Sequence, residues 1–431
     1  MTKTALLEEW NDLSESERVE RFEALPRDRA DDFFLLLSSR DQVRLLLTLP
    51  AGERRIWLRL LAPDDAADVL QIAPIAEREA LATQLDDVTR REVNALLAYK
   101  EDAAGGLMSP RFARLRPDMT IDEAISYLRH QASHVETIYY AYALDEAQHL
   151  LGVVGFRDLF AADRSKLVRD IMRTKFVFAS EQMDQEAVAR LFGESRLLAI
   201  PVLDSGGRIK GIVTADDIVE VVEQEASEDI QKFGGLEALD APYLHIGFWR
   251  MVRKRAGWLT ILFIGEMLTA TAMGYFGQEI ARAVVLALFV PLIISSGGNS
   301  GSQATTLVIR AMALGEVRLR DWWRVIHREL SAGLALGSVL AVIGMARILV
   351  WQAIWKPYGP HYSLIASTVA CSLVGVVLFG TIAGSMLPFV LRRAGLDPAS
   401  ASAPFVATLV DVTGLIIYFT IASVILHGSL L

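Results

Sequence analysis

The sequence predicts a multidomain membrane protein. It reads as an all-α N-terminal helical superhelix, an α/β module made of a tandem repeat, a connecting helix, and a five-helix transmembrane domain. Three observations carry this. Charge is split along the chain: residues 1–249 hold 45 Asp+Glu against 29 Lys+Arg, whereas residues 250–431 hold 7 against 14. A unit of about 60 residues recurs between positions 104 and 228. Five apolar segments after Trp249, near 256–277, 283–309, 327–354, 363–390 and 404–427, are each long enough to span a bilayer.

Residues 1–103 carry Leu and Ala at three- and four-residue spacing with acids and arginines between, punctuated by LP, which predicts stacked helical hairpins. In the repeat, GLMSPRFARLRPDMTIDEAISYL aligns with DIMRTKFVFASEQMDQEAVARLF, and LLGVVGFRDLF with IKGIVTADDIV. Met108 thus matches Met172, and Gly152 matches Gly211. The polar N-terminus lacks an apolar core, so no signal peptide is expected. The lone Cys371 excludes an internal disulfide and a thiolate metal cluster. An acidic first half argues against nucleic acid as a partner, because phosphate binding needs basic surface.

Arginines set the expected topology. RMVRKR precedes the first span, Arg310, Arg318, Arg320, Arg324 and Arg328 lie around the link between the second and third, and Arg392 and Arg393 lie between the fourth and fifth. The opposite loops carry only Arg282 and Lys356. The positive-inside rule then gives a cell (inner) membrane protein with a cytoplasmic N-terminus and an outside C-terminus.

Ionisable residues within spans are costly and point to function. They are Glu266, Arg347 and Asp411. Arg347 is near a span end and reads as structural. Glu266 is either a pore acid or a carboxyl bonded between helices. Asp411 lies near Thr408, Thr413 and Gly414. The stretch 291–315, PLIISSGGNSGSQATTLVIRAMALG, reads as a span unwound to meet a polar substrate, or as a small-residue helix contact. Carboxylates, hydroxyls and carbonyls without clustered His or Cys suit a hard cation. On the segment 216–235, Asp216, Glu220 and Glu223 share a helical face, with Glu225, Glu228 and Asp229 following; this is a solvated acidic face or a divalent-cation site. None of the seven histidines lies in HExxH, which excludes that class of intramembrane metalloprotease and leaves a non-enzyme.

Two resemblances follow from these motifs. IPVLDSGGRIKGIVTADDIVEVV resembles a CBS domain, and the repeat a tandem CBS (Bateman) pair with a degenerate first copy. The resemblance implies a sensor, with ATP a nucleotide ligand at Thr214 and Asp216. GGNSGSQATTLVIRAMALGEV, LDPASASAPFVATLVDVTGLIIYF, AYKEDAAGGLM and QEASEDIQKFGG together resemble the MgtE family over the entire chain. That resemblance implies a helical N domain (1–103), two CBS domains (104–165 and 166–228), a connecting plug helix (229–254) and a transmembrane domain (255–431). It implies a homodimeric Mg²⁺ channel, with Asp411 selecting the ion and Asn299, Gly298, Gly414, Thr408 and Glu266 near it. Asp397 would stand at the cytoplasmic mouth. Intracellular Mg²⁺ on Asp102, Asp217, Glu220, Glu225, Glu228 and Asp229 would hold the gate closed. Na⁺-coupled exchange, or broader transport that includes Mn²⁺ and Co²⁺, is the alternative on the same fold. Asp64, Asp65 and Asp68 match no sensor motif, and the serines of ISSGGNSGSQ depart from the pattern.

Overall fold

The computed structural model describes residues 6–7, 9–10, 13–239, 243 and 246–427. The chain divides into two compact units, Met1–Glu223 and Gln224–Leu431.

The first unit opens with a helical superhelix. Helices begin at residues 15, 39, 63 and 87, and between them at 27, 51 and 75, so each row advances by 24 residues. Helices of the first row stack on one another: Glu15–Glu23 on Ser39–Thr48, that on Pro63–Ile72, and that on Asp87–Leu96. Pro26, Pro50 and Pro74 stand at the N-caps of the intervening row, where a missing N–H costs nothing. Ser14, Ser38 and Asp86 cap helices of the first row through their side chains. The core (Phe22, Phe33, Phe34, Leu46, Leu58) runs on without interruption into the α/β module through Ala104, Met108 and Val213.

That module contains two like-built sheets. In one, β1 (Ala113–Leu115) pairs in parallel with β2 (Tyr140–Leu144), which pairs antiparallel with β3 (Leu150–Gly155). In the other, β4 (Ala179–Ser180), β5 (Ala199–Leu203) and β6 (Ile209–Thr214) repeat the pattern. Even the register shift recurs, at Ala143/Leu144 and Val202/Leu203. The copies exchange their leading segments. Ser109 bonds both ways with Ile212 of β6, and Arg173 both ways with Val153 of β3. Met108 therefore packs on Gly211 and Met172 on Gly152, where any Cβ would collide with the methionine. The aligned Met and Gly pairs of the sequence repeat are thus lock and key.

The second unit holds five helices long and apolar enough to cross a membrane: Phe248–Tyr275, Val284–Ala313, Leu319–Trp355, Tyr362–Arg393 and Ala403–Leu426. The fourth is central and packs on the second, third and fifth. Its contacts are made by glycine. A Cβ on Gly380 would strike the Gly297 carbonyl oxygen, and one on Gly384 the Gly301 carbonyl oxygen. Gly333, Gly337 and Gly344 do the same for the third span against Thr381, Val374 and Leu373. Close backbone approach is how helices associate where no water is expelled. The first span packs chiefly on the fifth, by Trp258 with Phe405 and by Phe276 stacked on Phe419, with ring centroids 5.2 Å apart.

Two expectations are corrected here. The glycine-rich stretch is not unwound: Val290–Ala313 is one continuous helix, with Pro291 in its first turn. Its glycines serve helix contact, and the interruption falls earlier, at Ala283 and at Leu288–Phe289. The connecting segment 229–254 is not one helix. The helix Ala215–Phe233 ends at Gly234 and at Gly235, whose φ of +73° is left-handed, and the next helix starts at Phe248. Residues 240–242 and 244–245 of that segment lie outside the described residues.

Replacing Gly380 by Val should drive the second and fourth spans apart. The expected loss is about 1–3 kcal/mol, typical of overpacking, read as a lower melting temperature of the detergent-solubilised protein by fluorescence size exclusion. An unchanged melt would refute the backbone contact.

Candidate ion sites

In the second unit, the second and fifth spans meet along Gly297 with Val410, Gly298 with Ala407, and Gly301 with Val406. This contact fixes what the outer face of the second span presents. Ser295, Asn299 and Thr306, spaced by about one or two turns, are exposed along it. Asn299 donates only a long 3.4 Å hydrogen bond to Ser295 Oγ, on its own helix. A membrane helix with an amide and hydroxyls on an open face needs water or protein there, because hydrocarbon offers no partner.

Asp411 is half-buried on the adjoining face of the fifth span. The first span approaches closely beside it, since a Cβ on Gly265 would lie 2.8 Å from Thr408 Cγ2. That approach brings the carboxyl groups of Glu266 and Asp411 within hydrogen-bonding reach of each other. Two carboxyls share a hydrogen bond only when a proton or a cation stands with them. Thr408 itself donates to the Pro404 carbonyl at 3.1 Å. Glu266 on the first span and Asp411 on the fifth thus stand together.

Two residues expected near the pore sit in helix contacts. Gly414 is buried against Val376 of the fourth span, and Gly298 is buried against Ala407. Both are helix-contact positions. Arg347, read as structural, donates to the Tyr358 hydroxyl at 3.2 Å and lies over Trp351.

Asp397 precedes the fifth span and caps the short turn Pro398–Ser400 by accepting from the Ala399 N–H at 2.8 Å. Its second oxygen is paired with Lys232 Nζ at 2.7 Å, and Lys232 also bonds to Glu228. Although partial burial works against the ammonium, Asp397 and Glu228 raise its pKa above the usual lysine range, so it stays charged. The sequence reading assigned both acids to ions and missed the lysine between them. Only contact across 165 residues of sequence reveals it.

In the first unit, a carboxylate cluster joins the helix Pro63–Ile72 to the start of the helix Ala215–Phe233. Asp64, Asp65 and Asp68 act on Asp217 and Glu220, with Glu136 and Glu101 nearby. Burial pushes the Asp68 carboxyl up to about 8, and Asp65, Glu101, Asp217 and Glu220 add to it. Burial pushes Asp217 up to about 7, against the hydrogen bond it accepts from the Thr214 hydroxyl. Burial also holds Asp64 well above the carboxylate range, and its Oδ1 has no hydrogen-bond partner among the described residues. A buried oxygen without a donor, among acids, fits a cation. Among the described residues no three acidic or imidazole side chains converge to direct ligand distance, so a cation here would keep waters of its own.

The remaining predicted residues fall around this cluster. Glu220 and Asp216 are exposed beside it. Asp102 is exposed, and its backbone carbonyl accepts from the Gln185 N–H at 2.8 Å. Glu225, Glu228 and Asp229 lie on the part of the helix that belongs to the second unit. Of the residues expected at a nucleotide, Thr214 is buried and its hydroxyl donates to Asp217 at the helix start. Asp64, Asp65 and Asp68, which no motif placed, are the residues the sequence missed; their signal was three acids within five residues of a helix that also carries Ala66, Ala67 and Val69 into the core.

Comparison with known proteins agrees with this organisation. A family model described as the MgtE intracellular N domain matches residues 1–102, the CBS domain model matches 104–165 and 168–224, and the MgtE divalent cation transporter model matches 290–421. The chain is 41% identical to the magnesium transporter MgtE of Thermus thermophilus over 98% of this chain and 93% of that protein. It is 30% identical to the magnesium transporter MgtE of Bacillus subtilis over 97% of this chain and 91% of that one. Among solved structures, the cytosolic domain of the Mg²⁺ channel MgtE in complex with ATP is 40% identical, with a TM-score of 0.49, covering 51% of this chain and 90% of that one.

Carboxyls whose pKa is raised by folding favour the folded state below their ordinary value near 3.8, and that contribution is lost as pH climbs through 7 to 8. With divalent cations chelated, the first unit of the full-length protein should therefore be cut faster by protease at about pH 9 than at about pH 6, and millimolar Mg²⁺ should remove the difference. Equal cutting at both pH values would show that the cluster carries no net repulsion. Separately, Lys232→Met should tighten Mg²⁺ binding at Glu228 and Asp397 of the second unit, read by isothermal titration calorimetry of the full-length protein, since it removes a cation that competes for both carboxylates; weaker binding would oppose that reading.

Proposed function

The chain belongs to the MgtE family of magnesium transporters, and on that premise we propose that it is a homodimeric Mg²⁺ channel whose ion passes along the open polar face of the second and fifth spans. One observation carries the reading: a membrane helix leaves Ser295, Asn299 and Thr306 open beside the paired carboxyls of Asp411 and Glu266. Asp411 is the selectivity residue, Glu266 its neighbour, and Asn299 the uncharged amide that completes an all-oxygen wall for a hard ion. A second copy would cover the open face and double the carboxylates. The arginine-rich ends of the spans face the cytoplasm, which puts the first unit inside and the C-terminus outside.

The same reading assigns regulation to the first unit. Mg²⁺ in the Asp64, Asp68 and Asp217 cluster relieves repulsion between the helical superhelix and the second CBS domain. Glu220, Glu225, Glu228 and Asp229 extend that acidic surface along one helix. An ion that favours one packing of these elements shifts a two-state equilibrium by its differential affinity, so high intracellular Mg²⁺ closes the channel and low Mg²⁺ opens it.

Proteoliposome flux tests the pathway. Asp411→Asn should reduce Mg²⁺ entry to near background while the protein still elutes as the wild-type oligomer. Glu266→Gln should leave transport but weaken discrimination against Mn²⁺ and Co²⁺. Wild-type flux in Asp411→Asn would remove that residue from the pathway, and flux that follows an imposed Na⁺ gradient would replace the channel by coupled exchange.

A further inference from the structure

The link between the second and third spans encloses a cavity of about 620 Å³. One wall is apolar, from Leu307, Val308 and Ala311 near the end of the second span. The other is basic: Arg320 belongs to the short turn Leu319–Asp321, and Arg324 and Arg328 follow at spacings of four, which stacks them on one face of the third span. On the far side of the same turn a second cavity, about 370 Å³, is lined by Leu319, Trp322, Met386, Phe389 and Val390, with Arg393 at its edge. Between them lies a small core of Val308, Met312 and Phe389. Trp322 and Trp323 are both about half exposed here, at a span end, where indoles are enriched in membrane proteins.

We propose that the arginine-lined cavity beside the turn Leu319–Asp321 binds an anionic glycerophospholipid, its phosphate held by Arg320, Arg324 and Arg328 and an acyl chain laid along the apolar wall. Topology alone explains arginines at a span end. It does not explain a cavity that places three of them opposite an apolar wall. Carboxylates are also present, at Glu316, Asp321 and Glu329. Asp321 is already engaged, accepting from the Arg318 N–H at 3.0 Å and pairing with Arg324 at 3.5 Å. Arg324 is the one arginine of the cavity with a side-chain ion pair among the described residues. Arg318 in the wall, Arg310 next to Ala311 and Arg393 across the turn leave the neighbourhood with an excess of positive charge. A soluble phosphate would use the guanidinium groups and leave the apolar wall bare. A zwitterionic lipid would fill the wall without the net charge that arginines at a membrane surface attract.

The test uses the full chain in nanodiscs of equal phosphatidylglycerol and phosphatidylcholine, released into detergent, with retained lipid counted by native mass spectrometry. Wild type should retain phosphatidylglycerol over phosphatidylcholine by at least about ten-fold. R320Q/R324Q/R328Q should bring that ratio close to one. R324E, a change at a side chain that is 87% exposed and so tolerable to the fold, should lower it several-fold. R250Q/R253Q/R255Q removes the same charge elsewhere and should keep the preference. Equal retention of both lipids by wild type, or an unaltered ratio in the triple variant and R324E, overturns the site. So does equal loss in the control variant, which would make the attraction one of bulk charge. Displacement of the lipid by millimolar inorganic phosphate would reassign the cavity to a soluble anion, and a preference abolished only on separating the oligomer would reassign it to a second copy of the chain.

Discussion

Two carbonyl groups, on Gly297 and Gly301, lie against the α-carbons of Gly380 and Gly384 with no side chain between, and the membrane unit is arranged around that approach. Thr305 reinforces it by donating to both the Gly301 and Gly384 carbonyls. Because the second span spends its glycine face on the fourth span, and the edge of that face on Val406, Ala407 and Val410 of the fifth, the remaining side is left to Ser295, Asn299 and Thr306. The fifth span is fixed by the same contact, and it carries Asp411 to the rim of the polar side. Only then can the first span, docked at Gly265 on Thr408, bring Glu266 to Asp411. The carboxyl pair is therefore a consequence of glycine packing one and two helices away.

Both units place carboxylates together, under different solvation. In the membrane unit no basic neighbour is needed, since a single proton or cation satisfies both groups. In the first unit six or more acids lie within electrostatic range of one another, and burial raises the cost of charge on Asp64, Asp68 and Asp217. Such a cluster stores repulsion that is released by protonation or by a divalent ion. A small hard cation that dehydrates reluctantly suits acids held near one another without converging.

What was legible in the sequence follows from which signals are local. The five spans were readable because hydropathy over some twenty residues needs no tertiary information; each expected segment lies on one of the five helices, although the first and third helices begin eight residues earlier than expected. The repeat was readable because its Met and Gly pairs must be kept for the copies to interlock. The glycine run was misread as an unwound helix because glycine encodes both a released backbone and a close contact, and only the partner span, about 80 residues on, distinguishes them. The resemblance implies one helix across the connecting segment, whereas the left-handed Gly235 ends the helix before it. Asp64, Asp65 and Asp68 gained a place only when a helix near residue 63 met one near residue 215, a contact no motif announces.

Lys232 separates the two acidic assemblies in kind. In the first unit, the strongest influences on Asp64, Asp68 and Asp217, apart from burial and hydrogen bonding, are other carboxylates. At the foot of the fifth span, an ammonium group already stands between Glu228 and Asp397. An ion pair so open to solvent contributes little to stability. Its consequence is competitive. A divalent ion that took both carboxylates would have to displace a cation tethered at high local concentration, so its apparent affinity there falls below that of an equal pair without the lysine. Asp397 also caps the turn that launches the fifth span, through its other oxygen. Exchange of lysine for a metal ion at this carboxylate would therefore act on the start of the helix that carries Asp411, and through it on the position of that carboxyl group.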